Sequence, residues 1–316
     1  MISTGTQKRP EPPSADGLAH PSLDELLALR HQVPRMRAGL GARSAPAGQH
    51  LSHLHARGVD YAESRIYQPG DDIRVMDWRV TARTGKPHTK LFLEERERDL
   101  LVLLDLNSGM RFGTRKRFKS VQAIRAAALA AWTSAAVGDR AGALVFGPQS
   151  SWIRPRAGTR GVLALLRDML RVDATASDSS DVRVLSSALD QASRCLHSGS
   201  RIVLISDGFS CDADAQARLA RMRQKADVAI LGVADPLEMQ TPSVRTLAVE
   251  SEGQRVQLQL DDHESRNAFQ AAMRRGRRQL DQCARQCGIR PVWIDTTSDL
   301  HLVMRQLLLE TLGGRR

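Results

Sequence analysis

Two aspartates set the chemistry this sequence could support. Asp105 ends the apolar run Leu100–Leu104 and is followed by Leu106, Asn107, Ser108 and Gly109, while Asp207 ends the second run in RIVLISDG. Short apolar runs bounded by polar residues are the pattern of parallel strands buried on both faces. Ligands of open α/β sheets collect beyond the carboxyl ends of such strands, which is where both carboxylates fall. If the two strands are neighbours the carboxylates meet, at a cost unless a cation or a proton lies between them. The expected chemistry is therefore a divalent-metal or phosphate-type site.

Other chemistries fit less well. Gly113–Ser120, GTRKRFKS, follows the first strand and ends in Lys-Ser as a phosphate-binding loop does, but Phe118 occupies the second glycine position. A backbone cradle needs close approach there, so no nucleotide cofactor is expected. A phosphatase of the haloacid-dehalogenase kind needs a second acid two residues after Asp105, where this chain has Asn107. A metal-assisted hydrolase needs a general base, and only folding could bring a histidine such as His197 to the strand ends. The four cysteines form no CxxC pair and read as reduced thiols.

The elements that must position the aspartates are regular. Strands are expected at Leu100–Asp105, Ala141–Phe146, Trp152–Arg154, Arg201–Ser206, Asp227–Val233 and Arg290–Asp295. Helices are expected at Phe118–Val137, Arg160–Leu170, Val184–His197, Ala213–Lys225, Glu264–Cys287 and Asp299–Leu312. This rhythm predicts an α/β fold with a doubly wound, mostly parallel sheet. A hairpin, Val244–Glu250 with Arg255–Leu260, interrupts it as an insertion at about residues 236–262. Upstream, residues 1–17 read as a disordered tail, and residues 18–98 as a small module of helix and strands opened by a capping box at Ser22 and Glu25. The main domain is expected over residues 99–316.

Of 316 residues 41% are hydrophobic, enough for one large core and a small module. No apolar run approaches a membrane span, and the first residues hold no apolar secretory segment, so the expected location is the cytoplasm. A net charge of +11 favours an acidic partner, nucleic acid or an anionic surface, although 4% aromatic residues leave few stacking platforms for single strands. Arg111, Arg115, Lys116, Arg117 and Lys119 follow the first strand end and would steer an acidic partner there, more weakly as salt rises. Arg274, Arg275, Arg277 and Arg278 form a second cluster. Together the two clusters define the alternative of a nucleic-acid-binding protein.

Asp105 with Asn107 and Ser108, and the distant Ser206-Asp207-Gly208, resemble the metal-ion-dependent adhesion site of von Willebrand factor A domains. That pattern is Asp-x-Ser-x-Ser, a Thr from a later loop and an Asp at the end of the fourth strand. The resemblance implies Mg²⁺ held by Asp105, Asn107, Thr159 and Asp207, with a position left for a partner's carboxylate. Asn107 and Gly109 stand where the two serines should be.

The segment YQPGDDIRVMDWRVTART, followed by KPHTKLFLEERERDLLVLLDLNSGM, resembles the signature of the domain of unknown function 58 family, bacterial cytoplasmic proteins with a von Willebrand factor A-like domain. Tyr67, Pro69, Gly70, Asp71, Asp72, Arg74, Asp77, Trp78 and Arg83 carry the first part. Their interleaved charges suggest a structural clasp in preference to a partner-binding surface. The resemblance implies a non-enzymatic adaptor or chaperone-like accessory of a MoxR-type AAA+ ATPase, acting also with other von Willebrand factor A proteins.

Overall fold

No residue of Leu100–Leu104 is more than 4% exposed, so this strand is covered on both faces. The computed structural model describes residues 19–33, 59–69, 71–94, 98–175, 182–197, 199–240, 245–251, 254–304 and 307; the expected tail 1–17 and Gly70 lie outside them. In chain order the elements are α1 (Leu23–Ala28), β1 (Val59–Ile66), α2 (Trp78–Thr84), β2 (His88–Glu94), β3 (Asp99–Asp105), α3 (Lys119–Ala136), β4 (Arg140–Phe146), β5 (Ser151–Ala157), α4 (Gly158–Thr175), α5 (Leu185–Cys195), β6 (Arg201–Ser206), α6 (Ala215–Lys225), β7 (Asp227–Ala234), α7 (Pro236–Met239), β8 (Thr246–Ser251), β9 (Gln254–Gln259), α8 (His263–Met273), α9 (Arg275–Gln286) and β10 (Val292–Asp295). Contacts divide the described chain into a large unit, residues 19–33 and 98–307, and a small one, residues 59–94.

The large unit is built on a six-stranded sheet of order β10-β7-β6-β3-β4-β5, parallel except for the antiparallel edge strand β5. Successive side chains of a strand face opposite sides. Val102 and Leu104 accordingly pack under α3 and α4, while Leu101 and Leu103 pack under α5, α6 and α9. The chain leaves β3 towards β4 on one side and returns to β6 on the other. The switch point of the sheet thus lies between the ends of β3 and β6, where a ligand crevice is expected. Among the described residues no helix is long and apolar enough to cross a membrane.

Three expectations change. Helix α1, assigned to the N-terminal module, belongs to the large unit: Leu26 is fully buried and the Trp132 indole donates to its carbonyl at 3.0 Å. Ser22 caps α1 by accepting from the Glu25 amide, but the Glu25 carboxylate pairs with Arg125 at 2.7 Å. The long basic helix breaks at Arg274 into α8 and α9, where Arg274 donates to the Met239 carbonyl. Of the expected last helix, 299–304 and 307 are described, and 300–304 and 307 are helical.

In the small unit β1 and β2 pair antiparallel, with Ile66 opposite His88. Asp77 caps α2 through the Arg79 and Val80 amides and accepts from Ser64 at 2.6 Å. Asp71 accepts from Arg65 at 2.7 Å, from the Gln68 amide and from Thr89. These bonds to the charged form hold both carboxyls below the usual range, the Gln68 amide leading for Asp71 and the Ser64 hydroxyl for Asp77. Among the described residues, the expected side-chain pairing of Asp with Arg along the signature is seen at Asp71 with Arg65, while Asp77 is held by a hydroxyl and backbone amides. Arg74, Arg79, Arg83 and Asp72 are exposed, and so is Trp78, at 65%.

A candidate strand-end site closed by a lysine

Leu104 of β3 pairs with Ile205 of β6, so the two strand-end carboxylates emerge side by side. Asp105 is fully buried and its oxygens are satisfied by four donors. Oδ1 accepts from the amide N–H and the side-chain Nδ2 of Asn107 at 3.0 and 2.8 Å; Oδ2 accepts from the Ser206 and Ser210 hydroxyls at 2.7 and 2.6 Å. Burial, followed by the Asp207 charge, pushes the Asp105 carboxyl up to about 6 despite these bonds. Asn107 in turn clasps the segment that leads into α5, donating to the Arg183 carbonyl at 3.1 Å and accepting from its amide at 2.9 Å.

Asp207 faces the other way. Its Oδ1 accepts from the Phe209 amide and its Oδ2 lies 2.8 Å from the Lys119 ammonium. Lys119, 1% exposed at the first position of α3, also reaches Glu238 Oε1 at 2.7 Å. The rings of Phe112 and Phe209 flank the ammonium at 5.7 and 5.3 Å. Glu238 is aimed by its own helix start: in the capping box of α7, its Oε2 accepts from the Asp235 amide at 2.8 Å. Asp235, fully buried, takes the Thr114 and Leu237 amides, each at 2.9 Å, and the Thr296 hydroxyl at 3.2 Å. Burial alone would discharge Lys119, but the two carboxylates more than offset it and hold the group protonated. Burial raises Glu238, against the pull of Lys119.

The chain's own ammonium is bound by Asp207 and Glu238, while Asp105 is held by neutral donors. A divalent ion does not fit the donors as they stand: all four Asp105 bonds come from protein groups, the Asn107 amide oxygen holds Arg183, and Lys119 holds Asp207 Oδ2. Gly109 adds no ligand, and a Cβ there would stand 3.3 Å from Asp207 Oδ2. Among the described residues no cluster of three His, Cys, Asp or Glu side chains suits a metal.

Two expected site residues fall elsewhere. Thr159 is exposed at the opposite end of the sheet, because β5 runs antiparallel and its last residue, Ala157, pairs with Arg140, itself opposite Asp99 at the start of β3. Six residues of strand, about 20 Å, separate that end from Asp105. Lys119 is no surface cation but the buried centre just described. Of its expected companions, Arg117 pairs with Glu25 at 3.5 Å and Arg111 rests on the Asp173 carbonyl; Arg115 and Lys116 remain exposed. His197 pairs with Asp99 at 3.4 Å, also at the far end, and brings no base to Asp105. In the second basic cluster, Arg275 and Arg277 stack on Phe209 and Trp293, and Arg278 donates to the Ala271 carbonyl.

Sequence reasoning missed Ser210, Glu238 and Asp235, and named Ser206 only as part of the Asp207 motif. The motif Asp235-Pro236-Leu237-Glu238, an N-cap with Pro at the first helical position and an acid at the third, was the available signal for Asp235 and Glu238.

Known proteins supply the comparison. The structure of the conserved hypothetical protein BatB from Bacteroides thetaiotaomicron is similar over 69% of this chain and 100% of its own, at 16% identity and a TM-score of 0.42. A von Willebrand factor type A protein from Catenulispora acidiphila is similar over 72% of this chain and 44% of its own, at 11% identity and a TM-score of 0.41. Uncharacterized proteins of Mycobacterium tuberculosis and Mycobacterium bovis are 30% identical over 244 residues, 76% of each chain. Residues 63–279, which take in both the Arg/Asp signature and the strand-end site, match the family described as Protein of unknown function DUF58, and the chain belongs to that family.

Proposed function

We propose that this protein is a non-enzymatic adaptor that binds its partner without a metal ion, the partner being a MoxR-type AAA+ ATPase in the cytoplasm. The observation that carries this reading is the disposition of charge in the small unit. Asp71 and Asp77 turn inward as hydrogen-bond hubs, while Arg74, Arg79 and Arg83, with Asp72 as the one exposed acid of the 71–83 stretch, surround Ile73 and Trp78, which are 63% and 65% exposed. Exposed Trp and Ile among arginines have the composition of a protein-binding surface, with Trp and Arg as its anchors.

The strand-end site supports the same reading. Its carboxylates are engaged by protein donors, which leaves a stiff framework in place of a free base or nucleophile. The kind of partner comes from the family resemblance, and the exposed Arg115 and Lys116 offer it a second, electrostatic contact.

The test is capture of a purified MoxR-type ATPase by the immobilised protein, wild type against Trp78→Ala and the double variant Arg115→Glu/Lys116→Glu. These positions are exposed, so each change should shift folding stability by no more than about 0.5 kcal/mol. Trp78→Ala should abolish capture, and the double variant should weaken it in a salt-dependent way. Capture unaffected by Trp78→Ala, or retention of nucleic acid by all forms with no ATPase, would overturn the proposal in favour of another surface or of the basic clusters.

A further inference from the structure

Helix α5 turns a polar stripe away from the core. Leu185, Ala188, Leu189 and Ala192 are buried, while Arg183, Ser187, Asp190 and Arg194 follow one another at the spacing of another face. With Ser186, Gln191 and Arg218 of α6 they line a cleft of about 440 Å³, and none of these side chains is aromatic or aliphatic.

The cleft holds more positive charge than its own carboxylate offsets. Arg218 is matched by Asp190 at 2.9 Å and by Asp214 at 3.6 Å. Among the described residues Arg183 meets only neutral acceptors, the Gln191 side-chain oxygen at 3.1 Å and the Ser150 hydroxyl, and Arg194 has no partner. Ser186 is 6% exposed and its amide donates to Asp212, yet its hydroxyl has no partner among the described residues, and neither has that of Ser187. A buried hydroxyl without a bond is costly, and one lining a cleft is satisfied by what enters it. Asn107 clasps the Arg183 backbone from behind, so this guanidinium is presented from a fixed base.

We propose that the cleft binds a compact polyanion, a small molecule carrying two or more phosphate groups in a row. Guanidinium groups suit phosphate oxygens, and each phosphate offers more acceptors to the two serine hydroxyls than a carboxylate does. The volume falls in the range of small-molecule sites, roughly 300–1,000 Å³, and without apolar walls only the charged part of a ligand gains by entering. About 15 Å of chain separates residues 183 and 194, so a ligand that meets both guanidiniums carries more than one anionic group.

The test is titration calorimetry of the full chain with sodium tripolyphosphate, at constant ionic strength and in EDTA so that no metal bridges ligand and protein. One site per chain is expected, with orthophosphate far weaker and adenosine diphosphate no tighter than pyrophosphate. Arg194→Gln should weaken binding about tenfold, the loss of one charge-assisted contact. Ser186→Ala should weaken it by a smaller factor. Arg160→Gln removes the same charge at the other end of the sheet and should leave binding unchanged; both arginines are exposed, so both variants should unfold at the wild-type midpoint without ligand. The wild-type and arginine isotherms decide the matter should Ser186→Ala fail to fold. Neither heat nor a raised unfolding midpoint at millimolar tripolyphosphate, or equal effects of the two arginine variants, would overturn the proposal. So would a preference for adenosine diphosphate over pyrophosphate, or citrate binding as tightly as tripolyphosphate.

Discussion

Lys119 shows what one side chain can settle. Its ammonium stands between Asp207 and Glu238, all three groups buried, so the Coulomb attraction works against a large desolvation cost. Replacing Lys119 by Met leaves two buried carboxylates without a counter-charge and should destabilise the protein by about 3–5 kcal/mol in denaturant titration. Adding Asp207→Asn and Glu238→Gln should recover part of that loss; no recovery would mean that packing of the lysine stem dominates. Asp105 carries a second prediction. Its folded carboxyl titrates near 6 against an ordinary 3.8, so the native state holds its proton more tightly than the unfolded chain does. The stabilising contribution is complete below pH 4 and is lost as pH rises through 6, by up to about 3 kcal/mol. The difference in stability between wild type and Asp105→Asn should therefore change across that window and level off above it. Both aspartates were legible in the sequence because each ends an apolar run. Lys119 was not, since its partner Glu238 lies 119 positions away and nothing local marks which of five neighbouring cations turns inward.

At the scale of elements, α9 and the loop after β6 meet without room for a side chain. Gly208, with φ +85°, lies against the Gly276 carbonyl, and a Cβ on Gly276 would stand 2.5 Å from Phe209 Cδ2 and 2.7 Å from the Asp207 carbonyl. The expected single helix Glu264–Cys287 breaks at Arg274, two residues before this contact, and α9 begins with its glycine against the loop. Gly276→Ala should cost about 1–3 kcal/mol by overpacking and lower the unfolding midpoint, although alanine is the better helix former. A midpoint equal to or above wild type would show that the loop gives way freely. The element-level failure at Thr159 has an instructive cause. The sequence reading placed a strand near Trp152 but not its direction, yet residues 147–150 between β4 and β5 are too few for the crossover that parallel strands require. Antiparallel pairing, and hence Thr159 at the far end, was implicit in that loop length.

For the molecule as a whole, the placement of charge decides how it answers to ions. The chain is strongly basic, at +11, yet buries Asp105, Asp207, Asp235 and Glu238 at one end of its sheet, with the Lys119 ammonium between Asp207 and Glu238. A ligand that binds only the native state raises stability by mass action, so a divalent cation seated among these carboxylates would lift the unfolding midpoint of the entire large unit. Their oxygens are engaged by Lys119, by serine hydroxyls and by backbone amides, and a metal could enter only by displacing bonds that the fold itself needs. Thermal unfolding of the wild-type protein should therefore give the same midpoint in millimolar Mg²⁺, in millimolar Mn²⁺ and in EDTA at constant ionic strength. A midpoint that rises with either ion and falls back with EDTA would mean that the lysine yields its place and that this strand-end site takes a metal.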